Sequence, residues 1–119
     1  MTTDSKYFQI HQFEGAVEIQ LGSCDFVSRP IIVLAFEELT KYIDQYHPER
    51  VILNFKNVHH VSSEFITEMI RLNDHVSGHD GVLKLSHMAA DVELPFKLTN
   101  LSGTLFKVYD TTPQAIDAF

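Results

Sequence analysis

The sequence predicts an α/β fold in which helices pack on a mixed, mostly parallel sheet. Three observations lead there. The short runs Val51–Phe55 and Val82–Ser86 are rich in aliphatic and branched residues and have the length of strands buried on both faces. Stretches with helical apolar spacing alternate with them along the chain. Near the start, Phe8 and Ile10, then Val17, Ile19 and Leu21, alternate with polar residues around Glu14-Gly15, the pattern of an antiparallel hairpin. The expectation is about five strands and about four helices, opened by that hairpin.

After the hairpin, Ser28-Arg29-Pro30 is a helix start, with Ser28 as cap and proline in the first turn. Apolar residues at 32, 35, 36, 39, 42, 43 and 46 carry this helix, which should end before Pro48. The strand Val51–Phe55 then gives way to a polar segment with two histidines and two serines, followed by helical spacing at Phe65, Ile66, Met69, Ile70, Leu72 and Val76. Ser62 and Ser63 are both good N-cap types. Gly78 and Gly81 close this helix and turn the chain into Val82–Ser86. Between Ala89 and Leu101, Pro95 interrupts an otherwise helical pattern and lacks a backbone donor, so a short kinked helix is expected, its cleaner part running from Pro95 to Asn100. Leu105–Tyr109 reads as a last strand, and Thr112-Pro113 opens a terminal helix with Ala115, Ile116 and Phe119 on one side.

With 119 residues, 45% of them hydrophobic, and no linker-like run, the chain suffices for one core, expected over residues 7–119 behind a tail at 1–6. The net charge of −7 and the scatter of the nine basic residues leave no stripe for a phosphate backbone, so nucleic acid is not an expected partner. Cys24 is the single cysteine, which excludes an internal disulfide and a multi-cysteine zinc site and suits a reducing, cytoplasmic location. The stretch MTTDSKYFQI lacks the basic cluster and apolar run of a signal peptide. The longest apolar run, Ile31–Phe36, falls far short of the roughly 18 to 20 residues that span a bilayer, so membrane insertion is not expected.

If the strands at 17–21, 51–55 and 82–86 are parallel, right-handed crossovers bring their outgoing loops to one edge, where open α/β folds place their sites. Those loops carry Cys24 and Asp25, then His59, His60, Ser62 and Ser63, then His87. Adjacent histidines on an extended segment point apart, so no zinc site is expected from His59, His60 and His87. His75 and His79 are four apart, but Gly78 intervenes and solvent exposure is expected. A hydrolase built on Asp25, His60 and Ser63 lacks a G-x-S-x-G elbow, and the glycines at 15, 22, 78, 81 and 103 form no nucleotide loop. Cys24 has no basic neighbour in sequence to lower its pKa, and Asp25 would raise it.

The segments VILNFKNVHHVSSEF and GHDGVLKLSHMAADVELPFKLTNLSGTLFKVYDTTPQAI, with GSCDF ahead of a helix, resemble the STAS domain over about residues 7–119. That domain is found in bacterial anti-sigma-factor antagonists and in the cytoplasmic tails of sulfate transporters. The resemblance implies a single STAS-like domain that is not itself an enzyme, requires no cofactor, and docks reversibly on an anti-sigma factor that is also a serine protein kinase. In the family, an Asp-Ser-Ser-Gly type sequence opens the helix after the central strand, and its first serine is phosphorylated. Laid on this chain, the positions are Ser62, Ser63, Glu64 and Phe65, which makes Ser63 the phosphoacceptor and puts Ser62 for aspartate, Glu64 for serine and Phe65 for glycine.

Asp25 falls where the family tends to have an acidic residue near the partner surface, which Ser28, His59, His60, Ser62 and Glu64 would complete. An unmodified Ser63 could cap the helix. A phosphate there adds about −1.5 to −2 charges, tolerated by the helix dipole but costly to bury against a partner shaped for a hydroxyl. The alternative keeps the fold without the switch, as an unphosphorylated scaffold or a small-ligand or nucleotide module in a larger signalling complex. A homodimer through the outer strand of the hairpin is left open.

Overall fold

Residues 7–22, 26–99 and 105–119 are described in the computed structural model. Along them run β1 (Phe8–Phe13), β2 (Ala16–Leu21), α1 (Arg29–Tyr46), β3 (Arg50–Asn54), α2 (Ser63–Gly78), β4 (Val82–Ser86), α3 (Ala90–Leu98), β5 (Lys107–Tyr109) and α4 (Thr112–Asp117). The five strands form one sheet in the order β1-β2-β3-β4-β5, with β1 antiparallel to β2 and every other pair parallel. Mixed sheet, opening hairpin and four helices all agree with the sequence reading.

The continuous apolar run of β3 is explained by cover on both faces. Val51 and Leu53 join the main core with Ile32, Phe36, Leu39 and Ile43 of α1, Phe65, Met69, Leu72 and Val76 of α2, and Val92 and Phe96 of α3. Ile52, between them, points to the other face and packs with Ala16 and with Ala115 of α4. That second face also holds a polar network. Asn54 Nδ2 donates to Glu18 Oε2 at 3.1 Å, the Thr112 hydroxyl donates to the same oxygen at 2.5 Å, and the Thr112 and Ser86 hydroxyls lie 2.9 Å apart. Buried Glu18 is thus satisfied, and the same bonds fasten the start of α4 to β2 and β4.

Local chemistry sets the ends of the elements. α1 stops at His47, whose backbone is left-handed (φ 46°) and whose N–H donates to Ile43 O at 2.9 Å just before Pro48. A Cβ on Gly81 would lie 2.8 Å from Pro48 O and 2.8 Å from Val76 Cγ1, so only glycine allows the turn after α2 to approach that loop. β3 ends one residue earlier than the apolar run suggested, yet Phe55 N still donates to Ser86 O at 2.9 Å. β5 is shorter than Leu105–Tyr109 and starts at Lys107, with Leu105 exposed and Phe106 buried ahead of it.

One element departs from expectation. The helix expected between Ala89 and Leu101 is α3, but it occupies Ala90–Leu98 instead of being cleanest over Pro95–Asn100, and Asn100 lies outside the described residues. Val92 and Phe96, four apart and both buried, anchor the helix on either side of the proline. Asp91 and Glu93 suit the positive end of its dipole, and Glu93 N donates to Ala89 O at 2.9 Å. Pro95 sits in the second turn, where its missing N–H removes a single bond, less than the packing returns.

Candidate functional site

The candidate site is built where β3 hands over to α2. Past the strand end, Asn54 Oδ1 accepts from Lys56 N at 2.8 Å, and Val58 N donates to Phe55 O at 3.0 Å, closing a tight turn. Val58 is buried and pins this turn, leaving His59 and His60 exposed. The next residues are stitched to the segment ahead of α1. Phe26 and Val61 form a parallel bridge in which Phe26 N donates to His60 O at 3.2 Å and Ser62 N donates to Phe26 O at 3.0 Å. The starts of α1 and α2 are thereby held side by side.

The two serines divide their roles. Ser62 has the extended backbone of a cap residue, and its Oγ accepts from Phe65 N at 3.3 Å. Ser63 is the first helical residue, so its helical backbone rules it out as the cap, contrary to the expectation that it could serve as one. Its side chain is exposed, and its carbonyl accepts from the Thr67 hydroxyl at 3.2 Å. Ser63 therefore presents a hydroxyl at the positive end of a helix without being needed to hold that end together.

Phe65 has an inward role. It is fully buried, with its ring centroid 5.0 Å from Phe26, 5.2 Å from Phe36 and 6.0 Å from Phe55. The chain of rings continues through Phe96, 6.3 Å from Phe55, to Phe106 at 5.9 Å. Edge-on and tilted aromatic pairs add about 0.5–1.5 kcal/mol each beyond simple burial. Where the resemblance expects glycine, this chain has placed the hub of its core.

On the surface, Ser28, His59, His60, Ser63 and Glu64 are exposed and Ser62 is half-buried. Ser28 marks the start of α1 but makes no side-chain cap bond. Arg29 Nε lies 3.9 Å from Glu64 Oε2, and with both side chains more than half exposed the pair adds little to stability. Three apolar side chains at the start of α1, Val27, Val33 and Leu34, are 52%, 41% and 48% exposed. Val33 and Leu34 fall outside the apolar stripe that α1 buries, which is the signal in the sequence that marks them as exposed. Asp25 and Cys24 lie outside the described residues.

Two groups of histidines behave differently from the rest. His87 is half-buried with a left-handed backbone (φ 56°), and its Nε2 accepts from Thr112 N at 3.3 Å, so it serves as a joint between β4 and α4. His75 and His79 do not simply face solvent, as expected. His75 Nδ1 and His79 Nε2 lie 3.2 Å and 3.1 Å from the same Asp44 Oδ1, and His79 stacks on His47 at 3.8 Å. The hydrogen bond from His79 holds the Asp44 carboxyl below its ordinary pKa, against a partial loss of solvent and with help from His75. This cluster ties the C-terminal ends of α1 and α2, opposite the end that carries Ser63. Among the described residues no three or more His, Cys, Asp or Glu are arranged to hold a metal ion, and no helix is long and apolar enough to cross a membrane.

No protein-family model and no curated protein matches the sequence. Solved structures do match. An anti-sigma-factor antagonist (STAS) domain protein from Planctomyces limnophilus superimposes with a TM-score of 0.80 at 14% identity, covering 93% of this chain and 96% of that one. The anti-sigma factor antagonist SpoIIAA in its unphosphorylated form gives 0.73 at 18% identity, covering 93% and 94%. The phosphorylated form of Bacillus SpoIIAA gives 0.68 at 18% identity, covering 93% and 97%. The chain has the fold of the STAS domain.

Proposed function

We propose that this chain, built on the STAS fold, is a regulatory docking protein of the anti-sigma-factor-antagonist kind, switched by reversible phosphorylation of Ser63. The observation that carries the reading is the exposed Ser63 hydroxyl at the first position of α2, outside the cap bond, flanked by Glu64. The partner is an anti-sigma factor that is also a serine kinase. Its footprint takes in Ser28, His59, His60, Ser62 and Glu64 with the apolar patch of Val27, Val33 and Leu34, and Asp25 joins it on sequence grounds. The protein itself catalyses nothing and acts in the cytoplasm of a bacterial cell on transcription.

The physics of such a switch is local. A phosphate at the first turn meets backbone N–H groups that lack helical partners, so the fold accommodates it. A partner covering the apolar patch must strip water from that phosphate beside Glu64, and each 1.4 kcal/mol of penalty lowers affinity about tenfold. SpoIIAA superimposes on this chain in both phosphorylated and unphosphorylated form, which supports a modification that leaves the fold intact.

The test is to incubate the protein with the partner kinase and ATP and weigh it intact. Wild type should gain one phosphate and Ser63→Ala none, and an unmodified wild type would defeat the switch. The second reading, a scaffold without phosphorylation, is favoured by Ser62 and Glu64 standing where the family pattern has aspartate and serine. A partner that binds wild type and Ser63→Asp equally tightly would select it.

A further inference from the structure

β1 is the outermost strand, and its far edge has no neighbour among the described residues. Gly22 N donates to Tyr7 O at 2.7 Å, and the register continues with Phe8 opposite Leu21 and Gln9 opposite Gln20. Hydrogen-bonded and non-hydrogen-bonded pairs alternate in an antiparallel ladder, so Gln9, His11 and Phe13 turn their backbone groups toward β2. Phe8, Ile10 and Gln12 turn theirs outward. These positions are symmetric about Ile10, so a second copy running antiparallel sets Ile10 against its counterpart and Phe8 against Gln12 twice over. That register uses every outward group, and shifting it by two residues leaves some unpaired.

Exposed edges are ordinarily protected by charge, proline or a bulge. The strand FQIHQF has no Asp, Glu, Lys, Arg or Pro in a chain of net charge −7, and its ladder with β2 runs without a bulge. Its flank is self-complementary as well. A groove beside the strand is lined by Phe8 with Glu38, Lys41, Tyr42, Gln45 and Tyr46 of α1. Glu38 and Lys41 carry opposite charges in one groove, so a two-fold axis can set each against the other's counterpart. The Tyr42 and Tyr46 rings, 4.9 Å apart, supply apolar surface between them.

We infer that the β1 edge is the docking surface for a second copy of this chain, joining two five-stranded sheets into one across a two-fold axis at Ile10. The surface around Ser63 takes no part, so the inference stands whether or not that serine is a switch.

Sedimentation of the full chain over a range of concentrations tests it, with wild type expected to pass from monomer to dimer. Lys41→Glu and Glu38→Lys each replace two attractive pairs by repulsive ones and should raise the dimer dissociation constant about tenfold. The double swap Glu38→Lys with Lys41→Glu should restore it. Gln12→Pro removes an outward donor at an edge position and should also weaken the dimer with an unchanged circular dichroism spectrum. A wild type that stays monomeric, or a charge series that dimerises alike throughout, overturns the inference.

Discussion

Arg29 Nε lies 3.9 Å from Glu64 Oε2, so the first turns of α1 and α2 are bridged beside the exposed hydroxyl of Ser63. A phosphate on Ser63 would compete with Glu64 for that guanidinium, since a phosphate offers more charge and more acceptors than a carboxylate. In the phosphorylated protein, Arg29 should therefore stabilise the dianion and lower the phosphate's second pKa. Phosphorus NMR titration should show that pKa rise in Arg29→Ala. An identical titration in both proteins would mean that Arg29 stays with Glu64.

The division of roles between the two serines makes stability and modification separable. Ser62 Oγ accepts from Phe65 N, so Ser62→Ala should cost about 0.5–2 kcal/mol in denaturant unfolding. Ser63 holds no cap, and Ser63→Ala should stay within about 0.5 kcal/mol of wild type. Comparable losses at both positions would contradict the cap assignment.

Phe65 tests whether the departure from the glycine pattern belongs to the core. It is buried against three other rings, so Phe65→Ala should cost about 3–5 kcal/mol. Phe65→Gly, the residue that the STAS resemblance leads one to expect, should cost about 1 kcal/mol more through helix propensity. Thermal unfolding of the two variants measures both. A stable glycine variant would mean that the ring cluster contributes little.

These features differ in how far the sequence disclosed them. The strands and the two long helices were legible because their apolar periods are unambiguous, and from them followed the loop edge that carries His59, His60, Ser62 and Ser63. Which serine caps α2 was not, since both types suit the position and only the backbone angles of Ser62 decide it. The helix expected between Ala89 and Leu101 is present, but it starts at Ala90 ahead of the Pro95–Asn100 part, because Val92 and Phe96 anchor it across Pro95. The Glu18 and Thr112 bond joins residues 94 apart, and Asp44 meets His75 and His79 across 31 and 35 residues. Contacts of that kind arise from how the helices and sheet pack, and no local spacing encodes them.

The Asp44 cluster makes a definite claim about acid stability. Hydrogen bonding by His79, and then by His75, lowers the Asp44 pKa in the folded chain from its ordinary value of 3.8. A carboxyl whose pKa is depressed by folding contributes stability that is fully present above the unfolded value and is lost as pH falls through the folded one. Unfolding free energy should therefore drop below about pH 4 in wild type, with part of that slope absent from Asp44→Asn. Charge on the histidines strengthens the pairing while the carboxylate stays ionised, and the exposure of Asp44 and His75 makes the effect sensitive to salt. Chemical denaturation from pH 2 to 7 in low and high salt measures this, and parallel curves for wild type and Asp44→Asn would show that the cluster does not couple the ends of α1 and α2.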